Sequence, residues 1–479
     1  MLRPGDAVPD SLTLVLGAGI AGLSAAHILS QSGHNVVVVE ASDRCGGGHR
    51  NVQVGPWHFD VGSIFYEDRA RLFALAPGLR ELCPEVRRIQ RRIDPAGCLR
   101  HYPLDPRDIL RWKPGKLARG LAEMAMGPLL VRRNGSLDAI CRQRLGRTIY
   151  EGTGLRNYVA RFHNVPPEQI DEEFFTHRMA FVERATRLSS MLRSGWRALR
   201  QQPVRKGPPA KLRVRPQEGY DVLFDRIRAE LERSGVTFAL RETLKRITPP
   251  SDARGDFLVE TDKGVRTVAT VVSTVPLDAT HKALFGEPSG LRSVDLLSLF
   301  VTAKDLDPEA GNVIFNFHQQ GRWKRATVYS RLYDELPDGR EALTIEVTLP
   351  VGAAPDPEDA FADFAQHLQD LQIAKDLRLE GFTVVPGAYP LYGKGALGQA
   401  AHVLERVAAA GVITVGRHGR FEYLPTANAV IRRVSEELAG YTEPDVPAAP
   451  ASPPAETPMM NASHIPSPTE VSAWTEHVR

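Results

Sequence analysis

A glycine-rich turn between two apolar runs, near the start of the chain, restricts the fold more than any other feature. Residues 12–16 read LTLVL, residues 17–22 read GAGIAG, residues 24–33 read SAAHILSQSG and residues 36–40 read VVVVE. Continuous apolar runs of this length are typical of strands in a parallel sheet that is covered on both faces. Because parallel strands are joined by a right-handed crossover, the pattern predicts a βαβ unit.

The three glycines of this turn have the spacing of a dinucleotide site. Gly17 makes the tight turn, Gly19 lets the main chain approach a diphosphate, and Gly22 lets the helix pack closely on the strand. The helix N-terminus then offers free N–H groups and a positive dipole end to the phosphates. Glu40 ends the second strand, where its carboxylate can accept both hydroxyls of a ribose. The sequence predicts a bound dinucleotide, the alternative being a glycine turn without a ligand.

Composition indicates an ordinary globular protein of two to four domains. Of its 479 residues, 42% are hydrophobic and 24% charged, which is enough apolar material for a sizeable core. Sixty basic and 57 acidic side chains leave a net charge of +3, which argues against nucleic acid as a partner. The four cysteines form no CxxC pair and no zinc spacing, so reduced thiols and no metal are expected.

Four stretches carry weaker expectations. No apolar run approaches the ~20 residues that span a bilayer, and the N-terminus has no hydrophobic signal core, so the cytoplasm is the expected location.

Residues 193–215 hold eight Arg and Lys and no acid, which indicates an exposed basic linker or, alternatively, a surface for an anion. The amphipathic stretch 117–133 is expected to be a core helix, with peripheral membrane contact as the alternative. The proline-rich residues 443–479 predict a disordered tail.

The residues after Glu40 indicate which dinucleotide is bound. Residues 41–50 read ASDRCGGGHR, and a second glycine cluster just past the ribose position suits a bulky cofactor that extends along the protein. At this point the sequence resembles the flavin amine-oxidase and protoporphyrinogen-oxidase-like superfamily, whose opening reads GxGxxGLxxAxxLxxxGxxVxVxE and then DRxGG. The segment WHFDVGS, residues 57–63, is similar to the FDxG segment of that superfamily.

Later motifs extend the resemblance over about residues 12–440. VGRHGRFEYLPTANAVIRRV, residues 415–434, is similar to the late GR segment and helix that close the FAD site. Its GRxGxFxY form is nearest to the branch that resembles UDP-galactopyranose mutase. HYPLDPRDIL (101–110), the region 144–170 and AYPLY (388–392) are similar to further motifs of that branch.

Departures from the family pattern fall on the substrate side. The family lysine of the middle motif aligns with Arg161, and its WG aligns with His163 and Asn164. GGRxxT reads GGGHRN here, Ser63 and Ile64 replace Gly-His after FDxG, and the late helix carries an Asn in place of an Asp. The substrate of a family member is therefore not transferred to this chain.

The resemblance implies an α/β fold in which a Rossmann-like FAD-binding domain with a GR2-type βαβ unit is interleaved with an α+β substrate domain. The FAD-binding domain is expected from residues 1–85, 216–286 and 405–442. The substrate domain is expected from residues 87–215 and 287–404.

The resemblance also implies which residues hold FAD. Binding is expected to be non-covalent, because the late segment that carries a linking cysteine in some amine oxidases has none here. The implied cofactor-binding residues are Gly17, Ala18, Gly19, Ile20, Ala21, Gly22, Glu40, Ala41, Arg44, Gly47, Gly48, Gly62, Ser63, Ile64, Leu244, Gly416, Arg417, Tyr423, Thr426 and Asn428.

Arg178, Arg325 and Tyr392 are the candidate catalytic residues, with Tyr389 as a further substrate contact. The two arginines lie where the family carries arginines near the substrate, and a guanidinium can hold a carboxylate or phosphate with two hydrogen bonds. The alternatives are an ion pair at a domain interface for each arginine and core packing with a bonded hydroxyl for each tyrosine.

The function that these observations predict is an FAD-dependent oxidoreductase. It would remove a hydride from a C–N, C–C or C–O bond of a small polar metabolite, which can be anionic, and oxygen or another acceptor would reoxidise the flavin. One alternative is a non-redox mutase or isomerase of a nucleotide sugar, in which reduced flavin is the nucleophile. A second alternative is a flavin-stabilised partner protein without catalysis. The sequence does not indicate an oligomeric state.

Overall fold

The computed structural model describes residues 11–61, 65–104, 106–178, 211–252, 255–333 and 339–441. These residues lie in one compact unit. The predicted tail, residues 443–479, and most of the basic segment 193–215 lie outside the described residues. No helix within the described ranges is long and apolar enough to cross a membrane.

Helices and strands are mixed along the described part of the chain, and five successive helices occupy residues 106–178. The helices are α1 (Ile20–Gln31), α2 (Leu79–Leu82), α3 (Pro106–Leu110), α4 (Pro114–Leu130), α5 (Leu137–Gly152), α6 (Leu155–His163), α7 (Glu173–Arg178), α8 (Tyr220–Arg233), α9 (Leu277–Phe285), α10 (Pro357–Asp370), α11 (Ala396–Ala409), α12 (Gly416–Gly419) and α13 (Ala427–Leu438).

The strands form two large sheets and three small ones. They are β1 (Leu12–Leu16), β2 (Asn35–Glu40), β3 (Asn51–Val54), β4 (Trp57–Asp60), β5 (Tyr66–Glu67), β6 (Glu85–Val86), β7 (Gln90–Ile93), β8 (Leu99–His101), β9 (Leu212–Arg213), β10 (Thr237–Leu240), β11 (Leu244–Thr248), β12 (Phe257–Thr261), β13 (Gly264–Val268), β14 (Thr270–Ser273), β15 (Ser293–Lys304), β16 (Val313–Asn316), β17 (Arg325–Val328), β18 (Glu341–Thr348), β19 (Lys375–Pro390) and β20 (Ile413–Thr414).

A five-stranded parallel sheet carries the predicted βαβ unit. Its order is β10-β2-β1-β14-β20, and β1 pairs with β2 on one side and β14 on the other. Val15, Val38 and Val272 are fully buried, as continuous apolar strands covered on both faces require. A Cβ at Gly22 would overlap the carbonyl oxygen of Gly17, so only glycine lets α1 lie this close to β1.

One continuous stretch with strand-like composition, TVATVVSTV, is divided in the structure. The run at residues 267–275 contributes its start to β13, in a three-stranded antiparallel sheet, and its centre to β14, in the parallel sheet. Ala269 lies between the two strands, and its N–H donates to the carbonyl oxygen of Leu12. Val268 of β13 and Val271 and Val272 of β14 are buried, so the run contains core residues of two different sheets.

A seven-stranded mixed sheet forms the other large layer, in the order β19-β15-β18-β17-β16-β7-β8. All its neighbours are antiparallel except β16 and β7, which are parallel. Its core includes Trp323 and Phe364, whose rings meet edge to face. The late part of β19 and the start of β17 bring polar residues from this sheet towards the parallel sheet.

Two sequence-based expectations about exposure are wrong. Arg215, in the basic segment expected to be exposed, is buried in an ion pair with Asp60. In the stretch expected to be a core helix, α4 buries only Gly120 and Gly127 fully. A small residue at both positions lets α4 lie against α5, and the opposite face of α4 stays open to solvent.

Candidate cofactor and substrate site

Two glycine turns lie side by side at the C-terminal edge of the parallel sheet. The N–H of Gly46 donates to the carbonyl oxygen of Ala18 over 2.9 Å, and Gly19 and Gly46 form a parallel bridge. A Cβ at Gly19 would meet nothing nearer than the Cα of Gly47, 3.7 Å away. The surrounding protein therefore leaves room for a side chain at Gly19, and the space beside its backbone fits a diphosphate.

The N-terminus of α1 opens into this space. Gly19 is its N-cap, and no side chain bonds to the first turn. The first N–H groups of a helix have no intrahelical partner, so those of Ile20, Ala21 and Gly22 are available to an anion. The residues present thus fit the phosphate end of a dinucleotide.

Glu40 is held in the orientation that a ribose needs. Its Oε2 accepts a hydrogen bond from the N–H of Ala18 at 2.7 Å, and its Oε1 accepts one from the N–H of Ser42 at 2.8 Å. Each carboxylate oxygen can accept a second hydrogen bond. The N–H of Glu242 donates to the Glu40 carbonyl oxygen, so the chain that leads to Leu244, the first residue of β11, runs beside the predicted ribose position.

The late GR segment packs directly on the first helix. Gly416 has φ +76°, and a Cβ there would overlap the side chain of Ala21. Thr426 caps α13, because its Oγ1 accepts from the N–H of Ala429 at 3.1 Å. The two ends of the predicted cofactor site, which are about 400 residues apart in sequence, are therefore in contact.

Two predicted cofactor residues are bonded elsewhere in this structure. The Arg44 guanidinium is paired with Asp221 at 3.1 Å, on the exposed side of the glycine turn. The Asn428 Oδ1 accepts from the N–H of Arg71 at 2.6 Å, and its Nδ2 donates to Glu67 at 2.9 Å. Their roles in cofactor binding stay predictions. Gly62, Ser63 and Ile64 lie outside the described residues.

His49 is a residue of this site that sequence reasoning did not select. Its ring stacks on Tyr66 at 6.1 Å and meets the edge of Tyr220 at 5.7 Å. Burial and the nearby Arg417 cation lower the pKa of His49 to about 4. Burial and Arg417 also lower the pKa of His418 to about 4. Both imidazoles are therefore neutral at pH 7 and add no charge beside the guanidinium.

Arg417 connects the cofactor site to the seven-stranded sheet. Its guanidinium carbon lies 4.9 Å from the ring centroid of Tyr389 and 5.7 Å from that of Tyr423, and it donates to the Ala388 carbonyl oxygen. The Tyr389 and Tyr423 rings stack at 6.2 Å. The GR segment thereby meets the end of β19, and the two large sheets face each other across these aromatic rings.

A buried charge cluster lies next to Tyr389. Lys324 is 2% exposed, and its Nζ is 3.2 Å from a carboxylate oxygen of Glu346 and 3.9 Å from the Tyr389 ring centroid. Arg325 donates to the other Glu346 oxygen. Burial opposes ionisation of Glu346, but Arg325 and Lys324 together hold its pKa below its usual value. Lys324 was not selected from the sequence, where it is one of several cations in WKRATVYSR.

This cluster changes the acidity of a tyrosine. Burial acts to raise the pKa of Tyr389, while the cations Lys324, Arg325 and Arg417 lower it, and the net result is a lowered pKa. Three cations face a single carboxylate here, so the site carries an excess of positive charge. Such a site favours a ligand that brings a negative charge.

The remaining predicted substrate contacts differ in their surroundings. Tyr392 is buried, its hydroxyl donates to the Phe421 carbonyl oxygen at 3.1 Å, and burial raises its pKa to about 12. These contacts fit the packing alternative. Arg178 ends α7, and its side chain lies outside the described part of the structure.

Arg161, which replaces the family lysine, clamps a loop. Its guanidinium donates to the carbonyl oxygens of Gln319 at 2.8 Å and Gln320 at 2.9 Å, and also to those of Asn316 and Gly321. Burial lowers its pKa to about 10. Four main-chain oxygens of the loop after β16 therefore occupy the N–H donors of Arg161. The replacement of the family lysine by Arg161 acts on this loop.

Comparison with known proteins identifies a family model and several relatives. The model described as flavin containing amine oxidoreductase matches residues 20–300. An L-amino-acid oxidase of Vipera ammodytes ammodytes is 31% identical over 183 residues, which is 33% of this chain and 34% of that protein. An L-amino-acid oxidase of Demansia vestigiata is 47% identical over 62 residues, 12% of each chain. The chain thus matches about a third or less of the length of these curated relatives.

Solved structures resemble the chain over most of its length. A reduced UDP-galactopyranose mutase has a TM-score of 0.69 at 17% identity, and covers 89% of this chain and 93% of its own. A putative protoporphyrinogen oxidase from Exiguobacterium sp. 255-15 has a TM-score of 0.67 at 17% identity, with 90% and 99% covered. Cyclohexylamine oxidase from Brevibacterium oxydans has a TM-score of 0.58 at 15% identity, with 91% and 99% covered. At these identities the likeness shows the fold, and the predicted fold class is confirmed.

Proposed function

Because this chain belongs to the flavin containing amine oxidoreductase family, we propose that it is an FAD-dependent oxidoreductase that removes a hydride from the C–N bond of a small anionic metabolite. The family match confirms the predicted superfamily and the predicted flavin cofactor. The substrate class goes beyond that match and rests on the side chains between the two large sheets. We also propose that these sheets belong to the two interleaved domains predicted from the sequence.

Different residues of the chain would bind the different parts of FAD. The backbone of Gly17 to Gly22 and of Gly47 would hold the diphosphate, and Glu40 would hold the adenosine ribose. Gly416 and Arg417 would lie at the flavin end, next to Tyr389 and Tyr423. FAD supplies a two-electron oxidant to such a site when it is bound.

The side chains at the flavin end would bind and orient the substrate. Lys324, Arg325 and Arg417 surround Tyr389 with positive charge that Glu346 only partly neutralises, and this excess is the observation on which the substrate class depends. An anionic group bound there would direct the adjacent C–N bond towards the flavin end. The substrate then loses a hydride from carbon and a proton from nitrogen to water, and hydrolysis of the imine completes the oxidation.

An amino acid is the substrate that fits this description best. It carries a carboxylate beside the C–N bond, and the curated relatives are named L-amino-acid oxidases. The neutral His49 and His418 keep the flavin end free of further positive charge at pH 7. Oxygen or another acceptor would reoxidise the flavin.

A second candidate is a non-redox mutase of a nucleotide sugar. The fold resembles UDP-galactopyranose mutase at a TM-score of 0.69, and a sugar diphosphate would also suit the positive charge around Tyr389. This candidate predicts turnover only after the flavin has been reduced, with no oxidant consumed.

One set of measurements separates the two candidates. The purified protein is mixed without oxygen with L-amino acids, with amines of the same side chain that lack the carboxylate, and with UDP-sugars, while the flavin absorbance is followed. The proposal expects bleaching by an amino acid, little by the matched amine, and hydrogen peroxide once air is admitted. Bleaching by both amines and amino acids at equal rates would contradict the anionic substrate, and sugar isomerisation by pre-reduced protein alone would favour the mutase.

A further inference from the structure

The outer face of α4 is an exposed apolar stripe. Leu129 and Leu130 are 87% and 70% exposed, and Leu121 and Met126 are 46% and 47% exposed. Met126, Leu129 and Leu130 have the i, i+3, i+4 spacing of one helix face, and Leu121 lies at the edge of the same half of the helix. Among the described residues, no other helix or strand exposes more than one large apolar side chain. The concentration on a single helix indicates a surface that contacts something apolar.

Packing on the opposite side fixes the orientation of this stripe. A Cβ at Gly120 would lie 3.0 Å from Ile149 in α5, and one at Gly127 would overlap the main chain of Gln143. Glu123 accepts a hydrogen bond from the N–H of Thr148 at 2.6 Å. These contacts leave α4 no room to rotate its leucines into the protein, so the stripe faces outward as part of the fold.

The segment that carries the stripe is strongly positive. Residues 111–133 contain six Arg and Lys and one Glu, whereas the whole chain has a net charge of only +3. Glu123, the single acid, is occupied by Arg119 at 2.8 Å. Lys113 and Arg132, at the two ends of the segment, are exposed and form no ion pair with any residue that the structure describes. Arg133 pairs with Glu172 at 2.6 Å, so the charges of Lys113 and Arg132 are the ones available to an anionic surface.

A cavity of about 380 Å³ opens at the N-terminal end of α4. Its side chains include four cations, two carboxylates and the Trp112 ring, on which Lys116 Nζ lies at 4.2 Å. Arg92, which is 2% exposed, forms its floor and donates to Asp108 at 2.9 Å. The cavity lies on the side of α4 that packs against α5, because Gly152 and Thr153 at the end of α5 line it together with Lys116. The charged and aromatic lining residues are Arg92, Asp94, Arg100, Asp108, Arg111, Trp112 and Lys116.

We propose that the apolar stripe of α4 docks the protein on an anionic lipid bilayer. The helix lies in the plane of the membrane, with its leucines at the boundary of headgroups and acyl chains and with Lys113 and Arg132 near the lipid phosphates. Charge argues against a second copy as the occupant, because a symmetric pair would bring two positive segments together. The docking surface is separate from the proposed redox site and does not depend on the substrate proposed above.

Sedimentation with lipid vesicles tests the apolar half of the proposal. The full chain is expected to bind vesicles of phosphatidylcholine with phosphatidylglycerol and to bind pure phosphatidylcholine much less, with the difference shrinking as salt is added. Leu129→Gln with Leu130→Gln should lower the partition coefficient by roughly tenfold or more, since each leucine loses apolar burial. Val265→Gln is the matched control, because Val265 is 64% exposed in β13 and should not affect binding.

A second set of variants tests the electrostatic part of the proposal. Lys113→Gln with Arg132→Gln should lower binding to the anionic vesicles by roughly fivefold or more and leave the weak binding to phosphatidylcholine unchanged. Lys245→Gln, at an exposed cation in β11, is the control. The urea midpoint of each variant confirms that it is folded, and Leu129→Gln alone replaces the double variant if that one unfolds. Absent vesicle binding, no preference for the anionic lipid, or a dimer that only the leucine variants dissolve would each overturn the proposal.

Discussion

The cofactor end and the substrate end of this molecule are built by different means. At the cofactor end, main-chain groups form the site: Gly17, Gly19 and Gly22 shape the turn, and Glu40 is held by two backbone N–H groups. At the substrate end, side chains form it, because Lys324, just before β17, meets Glu346 of β18 beside Tyr389. A backbone site tolerates changes in side chains around it, whereas a side-chain site depends on each charge that it contains.

The largest expected effect is at the substrate end. Glu346→Gln removes the carboxylate that compensates buried Lys324 and Arg325, and we expect a loss of about 3–5 kcal/mol in the free energy of unfolding. Urea unfolding of the FAD-free protein measures it. The matched double variant Lys324→Met with Glu346→Gln should recover much of the loss. If Glu346→Gln costs less than about 1 kcal/mol, the cluster is not the buried charged unit described here.

The second-largest expected effect is at the cofactor end, where a glycine of the turn is replaced. Gly22→Ala places a methyl group against the Gly17 carbonyl oxygen, and we expect a loss of about 1–3 kcal/mol in the free energy of unfolding together with loss of bound FAD. Gly398→Ala is the control, because the Cβ position of Gly398 has no atom within 4 Å and its φ is not positive. Equal behaviour of the two variants would contradict the close packing of α1 on β1.

Acid should weaken the cofactor end in a defined range. The pKa of His49 is lowered from 6.5 to about 4, so the unfolded chain takes up its proton first as pH falls. The stability that neutral His49 contributes is complete above pH 6.5 and is lost progressively towards pH 4. Between pH 7 and pH 5 we expect His49 to account for a loss of roughly 2 kcal/mol, measured by urea unfolding of the FAD-free protein. His49→Gln should remove that part of the pH dependence, and an unchanged slope would contradict the buried neutral ring.

The smallest effects compare two tyrosines of one segment. Tyr389→Phe removes a hydroxyl that lies among three cations, and we expect kcat/KM for an anionic substrate to fall about tenfold with FAD retention unchanged. Tyr392→Phe removes only a hydrogen bond to Phe421, at a cost of about 1 kcal/mol in stability and no change in kcat/KM. The reverse pattern would assign substrate contact to Tyr392, as the sequence predicted.

The difference between a site built from the backbone and a site built from side chains also explains which parts could be predicted from the sequence. The turn from Gly17 to Glu40 was predictable because its geometry follows from neighbouring residues and the glycines that they require. The roles of Lys324 and Arg161 were not, because their partners lie on other elements: Glu346 on β18 and the carbonyl oxygens of the loop after β16. The division of residues 267–275 between two sheets is not predictable for a related reason, since valines buried in either sheet give the same sequence pattern.

The exposed face of α4 is a second feature that the hydrophobic spacing in the sequence did not predict. Met126, Leu129 and Leu130 follow the same i, i+3, i+4 spacing that a core helix shows, and the spacing alone does not reveal which side of the helix the protein covers. Gly120 and Gly127 indicate the packed face of α4, because small residues on one face of a helix permit a close neighbour there. They place the packed face opposite the leucines.

The most direct measurement is FAD retention by Gly19→Val, with the free energy of unfolding of the same variant. The protein around Gly19 leaves room for a side chain, 3.7 Å from the nearest atom of Gly47, and the proposed diphosphate fills that room. We therefore expect the FAD-free variant to unfold within about 1 kcal/mol of the FAD-free parent and to bind FAD at least a hundredfold more weakly. A variant that keeps its FAD and its colour would contradict the proposed site at the N-terminus of α1.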